Sequence, residues 1–103
     1  MPSPTNSKLT TTDWSAVLTV PPNKRGVYTV NVAPLGACKV KLAVTGGAAP
    51  GDADIVENDV ALAIGAGPLA RDGIVLDAGS KIYVKTDTAN MAAVQVWFVE
   101  EAA

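Results

Sequence analysis

Seven short stretches of the chain alternate apolar and polar residues with a period of two. The clearest is Cys38-Lys39-Val40-Lys41-Leu42-Ala43-Val44, whose even positions are apolar and whose odd positions include two lysines. Successive strand side chains point to opposite faces, so the pattern predicts a strand with one face buried and one wet. The same reading gives a strand over Ser15 to Val20, with Ala16, Leu18 and Val20 on one side, ended by Pro21-Pro22-Asn23. Val27 to Val32 follows, setting Tyr28, Val30 and Val32 opposite Val27, Thr29 and Asn31, and Pro34-Leu35-Gly36 signals a turn.

Beyond Val44 the segment Thr45 to Gly51 is glycine-rich and reads as an exposed loop. Asp54 to Asp59 is compatible with brief pairing or a single helical turn. Val60 to Ile64 alternates again through Val60, Leu62 and Ile64. Leu69 to Arg71 and Ile74 to Leu76 read as two short strands about Asp72-Gly73, a tight-turn or bulge dipeptide. Lys81 to Thr86 places Ile82 and Val84 inward and Lys81, Tyr83 and Lys85 outward. The longest run, Ala92 to Glu100, sets Val94, Val96 and Phe98 opposite Gln95, Trp97 and Val99.

Seven to eight short strands joined by glycine and proline turns predict an all-β fold, a single antiparallel β-sandwich of jelly-roll or immunoglobulin-like type. Residues 1 to 13 are polar, carry two prolines and show no sustained period, so the expected division is a flexible N-terminal arm over 1–13 and a sandwich over 14–103.

Composition narrows what such a domain can do. The 103 residues suffice for one core, and charged residues make up 17% of the chain against roughly 25% in an average globular protein. Low charge suits a subunit covered by neighbours, and an alanine-rich chain produces the same figure. The net charge is −2 and the eight basic residues are scattered along the sequence. That argues against nucleic acid as a partner. No segment reads as a signal peptide or approaches the ~20 apolar residues of a membrane span, so synthesis in the cytoplasm and no membrane partner are expected. Cys38, the one cysteine, shares a face with Val40 and Leu42 and reads as a buried thiol.

The chain holds no histidine, which removes the usual proton carrier of nucleophilic triads. Ser80 and Lys81 are adjacent, and adjacent strand residues face opposite ways. Structural zinc needs four cysteine or histidine ligands. The acidic segment Asp52, Asp54, Glu57 and Asp59 has a D-x-D spacing but departs from an EF-hand loop in every later position, leaving a solvated acidic loop or a weak calcium site completed by a neighbouring subunit. No catalytic residue, no cofactor and no metal ligand is therefore assigned, and the chain is expected not to be an enzyme. The informative residues are aromatic. Trp97 and Val99 lie on the polar side of the last strand, so either both faces of that strand are covered or the pair forms an exposed patch. Trp14 and Tyr83 complete the set of interface candidates.

Four stretches together resemble a family of small virion proteins of tailed bacteriophages: Val20-Pro21-Pro22-Asn23 leading into Val27 to Val32, Cys38 to Val44, Asp52 to Asp59, and Gly73 to Val84 with its Leu76-Asp77-Ala78-Gly79 turn. The likeness covers about residues 14 to 101, and the acidic segment carries Ile55, Val56 and Asn58 where such relatives carry aromatics. The resemblance implies a structural role on the particle, as a capsid decoration or cement protein or else a tail, collar or fibre component. The partners it implies are other virion proteins, the major capsid protein or tail proteins, with further copies of the chain in a homo-oligomer. A carbohydrate- or host-surface-binding module is the rival expectation, and it would draw on Trp97, Tyr83 and Trp14.

Overall fold

The computed structural model describes residues 5–65 and 68–102. Eight strands follow one another: β1 (Thr5–Lys8), β2 (Ser15–Thr19), β3 (Lys24–Pro34), β4 (Cys38–Thr45), β5 (Ile55–Leu62), β6 (Leu69–Leu76), β7 (Lys81–Thr86) and β8 (Ala92–Ala102), with a single 3-10 turn at Asp52–Asp54 before β5. They form two four-stranded sheets, in the orders β1-β8-β3-β6 and β2-β7-β4-β5, and every pairing is antiparallel. The pairs β1 with β8, β2 with β7, β3 with β6 and β4 with β5 are nested, as when one long hairpin is rolled onto itself. This is the eight-stranded jelly roll of the two alternatives, since an immunoglobulin domain distributes seven or nine strands differently.

The period-two pattern locates the core. Tyr28, Val30 and Val32 of β3 meet Val94 and Val96 of β8 within one sheet, and Val40, Leu42, Ile82 and Val84 supply the facing layer. All are essentially without solvent contact. Cys38 is buried beside them, its thiol directed at the Met91 carbonyl 3.7 Å away.

Four details differ from the sequence reading. The first is the boundary of the domain. Residues 5–8 are a strand paired with β8, Leu9 is buried in the core, and its backbone is fixed by bonds to Ala92 and Asn90 of 2.9 and 2.8 Å. Thr5-Asn6-Ser7-Lys8 holds no apolar side chain, which leaves no alternation to detect; residues 1–4 of the expected arm lie outside the described residues.

The second is that Leu69–Arg71 and Ile74–Leu76 are one strand. Asp72 and Gly73 together face Thr29, between the Val30–Arg71 and Tyr28–Ile74 pairs, and Gly73 has φ +68°, so the dipeptide is a bulge that bends the strand without ending it. The third is a bulge between Ala16 and Leu18, which buries Val17 with Leu18 and turns Ala16 outward. The fourth is that β5 starts at Ile55 and ends at Leu62, so Ile64 is exposed in the following turn.

Candidate docking surface

Sheet β1-β8-β3-β6 turns one face to the core and the other outward. On the outward face, Val27 of β3 is the register partner of both Val99 on β8 and Val75 on β6. Three valines thus form a straight row across three strands. They are 47%, 71% and 74% exposed respectively, and Trp97, in the next register row opposite Thr29, is 45% exposed. Although β8 lies between β1 and β3, its outer face is uncovered, so Trp97 and Val99 form an exposed patch and are not core residues. Sheets normally set polar groups on a solvated face. A contiguous apolar row is the feature that marks an interaction surface.

On the other side of the valine row from Trp97 lies the Arg25–Glu101 pair, whose Nε and Oε1 are 2.9 Å apart. Between that pair and the valines runs a shallow groove of about 410 Å³, lined by Arg25, Gly26, Val27, Val75, Val99 and Glu101 among others. Gly26 is required there. A Cβ at this position would run into the Val99 carbonyl, because β3 and β8 approach closely.

Beneath the face, Tyr28 is buried and its hydroxyl donates to Glu100 Oε2 at 2.7 Å. Burial, then the hydrogen bond to Glu100 and its negative charge, push the phenol well above its ordinary value near 10. The Tyr28 ring also packs against Phe98, with centroids 6.0 Å apart. This arrangement anchors the strands that carry the valine row.

The outward face of β2-β7-β4-β5 has a different chemistry. Lys39 and Lys41 of β4 alternate with Val40, Lys81 and Lys85 of β7 alternate with Val84, and Lys41 is the register partner of Lys85. Half of the chain's eight basic residues therefore share this face. Acidic groups answer several of them: Asp59 sits 2.8 Å from Lys41, and the Asp87 carboxylate accepts from the Lys39 backbone N–H at 2.8 Å. That bond, aided by Thr88 and the Lys39 charge against a smaller effect of burial, holds Asp87 below the usual carboxylate range. Trp14 is half-buried with the Lys85 ammonium 5.8 Å from its ring centroid. Tyr83 is half-buried on the same face.

The four interface candidates thus divide in two. Trp97 and Val99 belong to the valine face, and Trp14 and Tyr83 to the lysine face. Sequence reading did not single out Val27 and Val75, although both occupy outward positions of apolar strands; only the register reveals that they continue Val99.

The acidic segment does not converge. Asp54 accepts from the Gly51 N–H at 2.8 Å, Glu57 pairs with Arg71 at 3.1 Å, and Asp59 pairs with Lys41. Among the described residues no three carboxylate, thiol or imidazole groups gather as a metal site would require. The Glu57–Arg71 bridge links the edge strands β5 and β6 of the two sheets.

Those edges are blunted. β1 has four residues, β2 is bulged and is followed by Pro21-Pro22, β5 shifts register twice and has Asp59 at φ 51°, and β6 carries the Gly73 bulge. Such irregularities discourage strand addition at the edges and leave a face as the open surface. Compared with family models, curated proteins and solved structures, the chain matches none.

Proposed function

We propose that the chain is a non-enzymatic structural component of a tailed bacteriophage virion, a capsid decoration or cement protein present in many copies. One observation carries the reading: the exposed Val75-Val27-Val99 row with Trp97, on a sheet whose edges are closed to pairing. The jelly-roll order adds support by analogy, because that architecture recurs in viral capsid and lectin domains. The resemblance of residues 14 to 101 points the same way. Physically, a cement protein joins neighbouring subunits, so that several modest contacts act as one strong attachment.

A tail, collar or fibre position uses the same face and is the alternative within this reading. Carbohydrate or host-surface binding is favoured by a separate observation, the Trp14, Tyr83 and lysine cluster on the opposite face. Mass spectrometry and cryo-electron microscopy of particles from the phage that encodes the chain test the proposal. Many copies on the head are expected, and loss of particle retention in Val99→Lys accompanies them. Absence of the chain from purified particles would overturn it, and a glycan-array signal abolished by Trp14→Ala would favour the second reading.

A further inference from the structure

We infer that the Val75-Val27-Val99 row and its groove dock a cationic segment of a partner protein, an extended stretch that lays an aliphatic side chain on the valines and carries a lysine or arginine two positions to either side. This rests on the reading of that face as a docking surface and names the chemistry of its occupant.

The argument begins with the charges that border the row. The groove on one side is lined by three carboxylates, Asp77, Glu100 and Glu101, and by one cation, Arg25. Arg25 is engaged by Glu101 at 2.9 Å, and Glu100 accepts from the neutral Tyr28 hydroxyl. Asp77 is exposed and, among the described residues, has no ion-pair partner. On the other side of the row the Gly73 bulge sets Asp72 opposite Thr29, and Asp72 is likewise exposed and unpaired among the described residues. The adjacent Arg71 is already engaged by Glu57. Lys8, the other cation on this outward face, is the register partner of Ala93, at the opposite end of β8 from Val99. The valines therefore lie between two unanswered carboxylates.

Spacing sets the form of the occupant. Asp77 is two residues from Val75, and Asp72 shares the register row of Thr29, two residues from Val27, so each lies roughly 7 Å along the strand from the valine row. In an extended segment, residues i and i+2 share a face and span that same distance. A Lys-x-Val-x-Lys pattern thus sets apolar on apolar and a cation at each carboxylate. A second copy would bring the same excess of carboxylates to the groove, and an anionic lipid surface would bring phosphates, so like charge disfavours both.

The test is an NMR titration of the full chain with two synthetic peptides, acetyl-Thr-Lys-Thr-Val-Thr-Lys-Thr-amide and its counterpart with glutamate in place of lysine. The lysine peptide is expected to move the amide signals of Arg25–Thr29, Asp72–Asp77 and Trp97–Glu101, and to bind at least tenfold more tightly than the glutamate peptide. Asp72→Lys combined with Asp77→Lys should reverse that preference while circular dichroism remains unchanged. Arg25→Gln, which frees Glu101, should tighten the lysine peptide. Equal affinity for the two peptides, preference for glutamate, or no response to either would overturn the inference. So would a dimer in sedimentation equilibrium whose valine face neither peptide reaches. Particles that retain the double variant reject the cationic partner while preserving the virion reading, and lysine-peptide binding by a chain absent from particles does the reverse.

Discussion

The two outer faces of this sandwich are built from equal numbers of strands, and they solve the problem of facing water in opposite ways. The β2-β7-β4-β5 face spends its outward positions on Lys39, Lys41, Lys81 and Lys85, and answers them with Asp59 and Asp87. The β1-β8-β3-β6 face presents three valines and a tryptophan in two adjacent register rows, with the Arg25–Glu101 pair at the margin. The two inner faces are alike, each lined by valine, leucine or isoleucine. Folding alone therefore does not explain the difference outside. An exposed valine contributes little to the core, and its place fits the docking role proposed for that face.

The comparison breaks first if the valine sheet is not completed by β1. Leu9→Ala removes a fully buried side chain that joins β1 to the core, and should cost about 3 kcal/mol in urea unfolding, with 2 to 5 as the range for such sites. A free arm over residues 1–13 would show no loss. Deleting residues 1–13 should unfold the domain for the same reason, since it removes both Leu9 and the strand beside β8.

A smaller effect tests the support beneath the face. Tyr28→Phe should cost about 1 kcal/mol, because it leaves the Glu100 carboxylate without its donor. Tyr28 also gives the stability a pH dependence. Its phenol titrates higher in the folded chain than in the unfolded one, so its contribution is intact below the ordinary value near 10. Above that pH the unfolded chain loses its proton first, and the stability of the wild type should fall more steeply than that of Tyr28→Phe.

Smallest of all are changes on the outer faces themselves. Lys85→Ala removes the cation over Trp14 and should cost about 0.5 kcal/mol. Val99→Lys should change the stability of the isolated domain by about as little. The pair separates in particle retention, which Val99→Lys should abolish and Lys85→Ala should leave intact.

Much of this was legible before the structure. The alternation in Cys38–Val44, Lys81–Thr86 and Ala92–Glu100 gives the inward and outward sets directly, because side-chain period is a local property of the strand. A sandwich of seven to eight strands follows from counting such runs, although the count omits β1 and divides β6 in two. What stayed hidden depends on register. Val75, Val27 and Val99 are 24 or more positions apart in sequence, and nothing local announces that they lie side by side. The lysines of β4 and β7 looked scattered for the same reason. The bulge at Gly73 made one strand look like two, and β1 has no apolar pattern because all four of its side chains are polar.

The central claim is that recognition lies on the valine face and not on the lysine face. Retention of face variants on purified particles tests it directly. Val27→Lys, Val75→Lys and Val99→Lys should each be lost from particles, while Lys39→Ala, Lys41→Ala and Lys81→Ala stay bound. Loss confined to the lysine-face variants, or loss of none, would contradict it.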